Sequence, residues 1–412
     1  MIAQRTKNSV SNLTVLALSV ALFSYPFTSS IIVLLGLPST TSFAFKILIF
    51  GIYSFYFFKT FRYKGKVSSA NLFLFCLLIV YSIRILVDIF IFNIESEFHS
   101  IFYILSYFFL LTLLPVVSFL KFGRFLDIKK FNRIIMYLIL IINALYIILS
   151  FSLGKDLVAS FATRLTVASK EATAISIINP ITIGLNGTIA IIYGVFKLAF
   201  FRPNNDKALC WSMIILGSIN LILSASRGPL VTLVLLSFII GYKYFTNNEK
   251  SLTFSIKIIS WCICGGFIFM VVLPTLRKID FFLLDRITQF IDGRDGPEAR
   301  NYIIESAIND FTDNPIFGSH IFDTKYNAFA HNALIDTLMS CGVIGGLLLI
   351  FSFRNYIRNF FLLIRRTYEP EKQLFFLYIS PMILIGMTSG SLIFFPEFWI
   401  SLALLSNKSL LQ

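Results

Sequence analysis

A chain of 412 residues that is 57% hydrophobic and only 14% charged cannot cover a folded surface with polar atoms, so a soluble domain is excluded. The formal charge of +14 is no nucleic-acid footprint, because Lys and Arg fall into short clusters between apolar runs and not along one soluble face. The five cysteines, Cys76, Cys210, Cys262, Cys264 and Cys341, all lie in or at the edge of apolar runs, and neither a disulfide framework nor a zinc site follows from them.

The apolar runs are about 20 residues long, not the alternating ten-residue segments of a barrel, and they predict an all-α polytopic membrane protein. In chain order, spans are expected near residues 12–35, 41–59, 69–93, 100–119, 132–153, 176–197, 208–224, 228–243, 256–275, 331–352, 373–389 and 393–406, about twelve helices in all. The first run lacks a small-residue cleavage site and leads into the second, so it is expected to stay as an anchor. With the N-terminus in the cytoplasm, Arg5, Lys7, the segment "KTFRYKGK", the clusters at 121–133, 197–207, 243–257 and 354–372, and Lys408 all fall inside. That is most of the Lys and Arg, and it places both termini in the cytoplasm. Two cations, Lys46 and Arg84, lie within spans.

On the outer side two stretches exceed a turn: "LGKDLVASFATRLTVASKEATA", and a long loop over 276–330 between the ninth and tenth spans. Long loops usually carry function. In "ARNYIIESAINDFTDNPIFG", Ile303, Ile304, Ala307, Ile308 and Phe311 fall at helical spacing before Asn314-Pro315 stops the run, which predicts an amphipathic helix on the outer membrane surface. No linker, low-complexity tract or short repeat divides the chain, so 1–412 is read as a single transmembrane domain with 276–330 as its outer elaboration.

Soluble-enzyme signatures are absent: no phosphate-binding loop, no HExxH, no dinucleotide fingerprint, and "DGRDG" at 292–296 lacks calcium-loop spacing. What remains is a set of cations on the outer side. Arg227, in "SASRGPL", stands at an interfacial turn where Gly228-Pro229 opens the next helix. It either snorkels to lipid headgroups or, with the helix N-terminus, makes a seat for phosphate or pyrophosphate. Arg164 and Arg300 are either solvated loop charges or members of the same pocket. His331, one of three histidines, is either an interfacial ring bonded to a loop carbonyl or a base for a sugar hydroxyl, its reference pKa of about 6.5 suiting that task. Arg84 and Asp88 are four apart and read as an internal ion pair. Asn332, Asp336 and Glu171 are candidates for orienting the site, and Gly342 and Gly345 for close packing of the tenth span against a neighbour. His99 and His320 have no surrounding pattern and receive no role.

"SASRGPL", then "ARNYIIESAINDFTDNPIFGSHIF", then "AHNALIDTLMSCGVIGG", together resemble the O-antigen ligase and polymerase superfamily of bacterial inner-membrane proteins. Its pattern is an SRG turn, an Arg before an apolar helix ending in Asn-Pro-(Leu/Ile)-(Phe/Leu)-Gly, and a His-Asn pair before a span with two spaced glycines; Gly318, Gly342 and Gly345 fall at matching places. "ATRLTVASKEATAISIINP" is similar to the family's earlier outer-loop segment. The match covers roughly the second half of the chain. It departs from the family at Ser340, where a Glu is common and Asp336 stands one turn earlier, and at His320, where a second Gly is common.

The resemblance implies a GT-C-like membrane glycosyltransferase of the inner membrane, inverting and without metal or cofactor, whose donor is an oligosaccharide on undecaprenyl pyrophosphate. It further implies His331 as base, Arg227, Arg164 and Arg300 on the pyrophosphate, and as partners the membrane lipids with a chain-length regulator and flippase of the same pathway. A polymerase, extending a lipid-linked repeat unit, is the first expectation. A ligase, transferring to lipid A core, differs only in acceptor. A flippase or other transporter would also have many spans, but would place its titratable groups along a path through the membrane.

Overall fold

The computed structural model describes residues 2–37, 41–61, 69–93, 101–152, 167–168, 176–201, 206–224, 226–247, 299–365, 369–389 and 391–407. In chain order these form α1 (Ile2–Leu34), α2 (Thr41–Phe61), α3 (Ser69–Phe90), α4 (Ile101–Leu105) running through a π segment (Ser106–Leu113) into α5 (Leu114–Phe122), and α6 (Ile128–Ser152). A two-stranded antiparallel ribbon follows, β1 (Val167–Ala168) against β2 (Ser176–Ile178), with Val167 opposite Ile178. Then come α7 (Pro180–Phe200), α8 (Lys207–Ser224), α9 (Arg227–Asn247), α10 (Ala299–Asp313), α11 (Ala333–Arg365), α12 (Pro370–Ser389) and α13 (Pro396–Leu405). Among the described residues, the regular structure apart from the five-residue ribbon is helical, as the apolar runs predict.

Seven helices among the described residues are long and apolar enough to cross a membrane: Ser9–Leu34, Asn71–Phe90, Ile101–Lys121, Ile128–Phe151, Pro180–Phe200, Lys207–Ser224 and Ala333–Leu363. The expected spans at 41–59, 228–243, 373–389 and 393–406 are also helices, α2, α9, α12 and α13, but fall outside that set. The expected span at 256–275 lies outside the described residues. α3 shows why these helices belong in lipid. One face buries Leu74, Leu77, Leu78, Tyr81 and Ile85, while the other exposes Leu72, Ile79, Ile83, Leu86 and Phe90. A helix apolar on both faces is stable only where its outer face meets hydrocarbon.

The chain divides into two compact units. The first comprises Met1–Tyr25, Thr40–Ile135 and Pro297–Gln412. Here α3 packs along α11, α13 packs on α5 and α12, and α10 rests on α11. The π segment in this unit has a local cause. Pro115 lacks the N–H that a regular helix would donate one turn back, and widening the preceding turn relieves the clash with its ring. The second unit comprises Pro26–Ser39 and Met136–Gly296, and its centre is the α7–α8 pair. A Cβ on Gly187 would stand 2.6 Å from the carbonyl oxygen of Gly217, so only glycine permits this approach. Buried Asn220 donates to the side chain (2.8 Å) and carbonyl (2.9 Å) of Asn143, which donates in turn to the Asn186 carbonyl (3.2 Å), tying α8, α6 and α7 together inside an apolar bundle.

Candidate functional site

The segment leading to His331 is built onto a break in α11. At Gly342 the backbone turns to φ +62 and ψ −160, a conformation that kinks the helix and opens its hydrogen-bond ladder. The loop after α10 fills the opening: Ser319 N–H donates to the Met339 carbonyl (2.7 Å), and Val343 N–H to the Pro315 carbonyl (2.8 Å). Gly318, at φ +75, lies flat against the backbone of Ser340 and Cys341, and a Cβ on Gly342 would strike Ile316. The close packing expected of Gly342 against a neighbouring span is therefore corrected: it packs against the chain's own loop. Gly345 faces Thr337 and Cys341 of its own helix, brought close by the kink.

Four aspartates then hold the loop by accepting backbone N–H groups. Asp310, on the buried side of α10, takes Thr324 N–H (2.8 Å) and Oγ1 (2.6 Å). Asp323 takes the N–H groups of Tyr326 and Ala328, both at 2.8 Å. Asp88 of α3 takes Ile321 N–H (2.7 Å) while paired with Arg84 (2.5 Å), and His320 Nδ1 lies 2.9 Å from Arg84 Nη2 and 3.2 Å from Asp88 Oδ1. The internal Arg84–Asp88 pair is present, and His320, which its sequence context left without a role, joins it. Asp336, fully inside α11, takes Ala330 N–H and Leu392 N–H, each at 3.2 Å. A carboxylate with two amide donors is satisfied locally, and this one fixes the residue before His331 and the 391–394 segment at once.

His331 itself adopts φ +55, a left-handed conformation that costs a non-glycine residue about 1–3 kcal/mol and clusters at functional sites. Its ring is partly exposed, with Nδ1 buried, and meets Phe329 edge-on at 4.3 Å between centroids. Asn332 caps α11: its Oδ1 accepts the N–H groups of Leu334 (3.0 Å) and Ile335 (3.2 Å). Its carbonyl oxygen takes Asp336 N–H (2.8 Å). It thus acts through the backbone that presents His331. Asn332→Ala is expected to lower stability by about 1 kcal/mol, read as a fall in the unfolding temperature of the purified protein, with Asn332→Asp close to wild type; equal losses from both would contradict a capping role. Ser340, standing where a Glu is common, is buried and returns its hydroxyl to the Asp336 carbonyl (2.6 Å).

Arg227 belongs to the second unit and is the first residue of α9. Its turn is clamped on α7. Ser226 N–H reaches Ser224 Oγ (3.3 Å), the Pro229 carbonyl accepts from Thr188 Oγ1 (3.0 Å), and a Cβ on Gly184 would stand 2.6 Å from Ser224 Oγ. The guanidinium is partly buried at this helix N-terminus. The structure brings together His331, Asn332 and Asp336. Arg300 stands in the first turn of α10, where the backbone alone is described. Arg164, Glu171 and His99 lie outside the described residues. Asp88, Asp310, Asp323 and His320 are additions that the sequence reading did not assign to the site.

Residues 212–350 match the model of a family described as O-antigen ligase (Wzy_C), consistent with the O-antigen ligase and polymerase superfamily. The matched stretch runs from within α8 to within α11 and holds Arg227, Arg300, His331, Asn332 and Asp336, but not Arg164 or Glu171. No curated protein matches the chain.

Proposed function

From that match and the build of the His331 segment, we propose that the chain is a membrane glycosyltransferase that elongates O-antigen or a related surface polysaccharide. The growing glycan is carried on undecaprenyl pyrophosphate and passes to the nonreducing end of a lipid-linked repeat unit. The setting is a bacterial inner membrane, with both termini in the cytoplasm, about twelve spans in a GT-C-like arrangement, and the His331 segment on the outer face. In the transfer, His331 takes the proton of the acceptor hydroxyl as that oxygen attacks the anomeric carbon of the donor. The bond from that carbon to the pyrophosphate oxygen breaks, configuration inverts, and the departing negative charge falls to Arg227, with Arg164 and Arg300 as further cations. Asn332 and Asp336 position the base, and Glu171 remains a candidate for the same task. Cations of this kind meet a pyrophosphate without a divalent metal, so full activity in chelator is expected.

The observation that carries this reading is a titratable imidazole held in a strained backbone by a dedicated set of carboxylates, inside the segment that matches the ligase family. The match to a family of O-antigen ligases favours one second reading, a ligase, whose acceptor would be lipid A core. Deleting the gene and resolving the lipopolysaccharide on a gel separates the two. A single repeat unit on core is expected for lost polymerase. Bare core with accumulated lipid-linked polymer would establish the ligase, and an unchanged ladder would refute both.

A further inference from the structure

The loop that fills the break in α11 meets α3 through a seam of three charged or titratable side chains. Arg84 Nη2 lies 2.5 Å from Asp88 Oδ1 and 2.9 Å from His320 Nδ1, and His320 Nδ1 lies 3.2 Å from Asp88 Oδ1. Asp88 Oδ2 accepts Ile321 N–H (2.7 Å), and Arg84 Nη1 stands 3.5 Å from the Gly318 carbonyl oxygen. Phe92 lies beside the seam, its ring centroid 5.7 Å from the guanidinium carbon and 5.4 Å from that of the His320 ring, which it meets edge-on. The Asp88 side chain is fully enclosed, that of Arg84 is 13% exposed and that of His320 25%, so the imidazole is the member nearest to water.

Where the hydrogens go follows from the chemistry of the three groups. Arginine keeps its charge and only donates, so the two hydrogens on Nη2 serve Asp88 Oδ1 and His320 Nδ1. This assigns Nδ1 as an acceptor and the ring as neutral, with its hydrogen on Nε2. A second proton on the ring must go to Nδ1. Two donors would then face each other at 2.9 Å with one carboxylate oxygen to share, and the seam would pass from no net charge to +1 around an enclosed Asp88. Unbalanced charge is costly there. Arg84 and Asp88 stand four apart on one helix and keep each other, whereas the ring sits on a loop and is the member able to leave. It cannot leave alone. Ile321, the next residue, is the one anchored on Asp88, and Ser319, the one before, donates its N–H to the Met339 carbonyl inside the break of α11.

We propose that His320 is a proton-operated latch. Neutral, it holds residues 318–321 against α3 and in the break of α11; protonated, it parts from Arg84 and releases them. The same loop runs on to His331, so the latch sets how firmly that residue is presented, a consequence that rests on the proposed function while the latch itself does not. Other titratable groups of the described residues surround the seam: Tyr81 of α3, Cys341 and Asp336 of α11, Asp310 of α10, and Asp323 further along the loop. Glu95, Glu97 and His99 lie outside the described residues. A proton taken up by any of these carboxyls in place of the ring would give a response that does not depend on residue 320.

The test is amide hydrogen exchange on the full chain in lipid nanodiscs, read at peptides carrying Ser319, Ile321 and Val343 and divided by the intrinsic rate at each pH. Transfer rate is the poorer readout, because protonation of His331 lowers it over the same range. Between about pH 7.5 and about pH 5.5, where an imidazole changes charge, protection of these amides is expected to fall at least about tenfold, the scale of one charged hydrogen bond, while α7 amides keep theirs. His320→Asn puts an amide oxygen where Nδ1 stood, still accepts from Arg84 and cannot take up a proton, so its protection should be the same at both pH values. Arg84→Gln removes the competing cation, which lets a protonated ring stay on Asp88; acidification should then raise protection. That reversal of sign is not given by a loop that merely packs, and it decides the matter if His320→Asn fails to reach the membrane. Equal protection at both pH values in the wild-type chain, or a fall in His320→Asn equal to that in wild type, would overturn the latch, and glycan transfer by the same wild-type preparation would leave the proposed function standing. A chain with the full pH response that transfers no glycan would lose the function and keep the latch.

Discussion

His331→Ala is expected to lower glycan transfer by about 10²–10⁴-fold while the protein still accumulates in the membrane, the range that a positioned general base contributes. The left-handed backbone at this residue complicates a simple reading, because alanine there is strained just as histidine is. His331→Asn separates chemistry from geometry. Asparagine tolerates the left-handed region and has a polar side chain, but it cannot take up a proton. Both variants should fail alike. If His331→Asn retained wild-type transfer, the ring would serve as a surface and not as a base. If His331→Ala failed only because the protein left the membrane, the loss would belong to folding. The rate should also fall as pH drops and the imidazole becomes protonated, a limb that the His331→Asn variant should not show. The measurement is the amount of polymer formed from purified lipid-linked repeat unit, at several pH values, by equal amounts of each protein.

Long apolar runs made the helices legible, because a stretch of that length has few other stable fates. The end of α11 was harder to read. It was expected near residue 352 but continues to Arg365, since Ile357, Phe360, Phe361 and Leu363 keep an apolar pattern going past Arg354 and Arg358. His331 stood out as a rare titratable residue at the head of a span, whereas the groups that hold its loop did not. Asp88 and Ile321 are far apart in the chain and meet only when α3 packs along α11. Asp323 and Asp336 work on backbone N–H groups, which every residue but proline possesses, so no spacing marks them for that task. Asp310 did leave a trace: it falls on the same helical face as Ser306 and Ala307, and an acid on the buried side of an amphipathic helix asks for a partner. Gly342 was visible as a glycine in a span, but packing against another helix is the commoner use of that pattern. Only the loop lodged between Met339 and Val343 shows the kink. Lys46 was visible as a charge inside a span, but the two rings its ammonium meets, Tyr103 and Tyr107, stand on another helix, and no spacing in the sequence joins them.

Arg227→Ala is expected to lower transfer by about 10²–10³-fold, the loss found when one donor to a developing oxyanion is removed from an enclosed site. Arg227→Lys should recover part of it, since the charge remains but the planar fork that grips two phosphate oxygens is lost. A neighbouring substitution tests whether placement matters as much as charge. A side chain at Gly184 would press on Ser224 and Pro229, the two ends of the turn that carries Arg227. Gly184→Leu should therefore cost transfer with the arginine still present. If one displacement needs both the proton acceptor and the cation, the Arg227→Ala, His331→Ala double variant should fall little below the worse single variant. A loss equal to the product of the two single losses would assign them to separate steps. Full activity in Arg227→Ala would return this arginine to the simpler role of a charge resting on lipid headgroups, and the positive charge for the leaving pyrophosphate would then have to come from Arg164 and Arg300 alone.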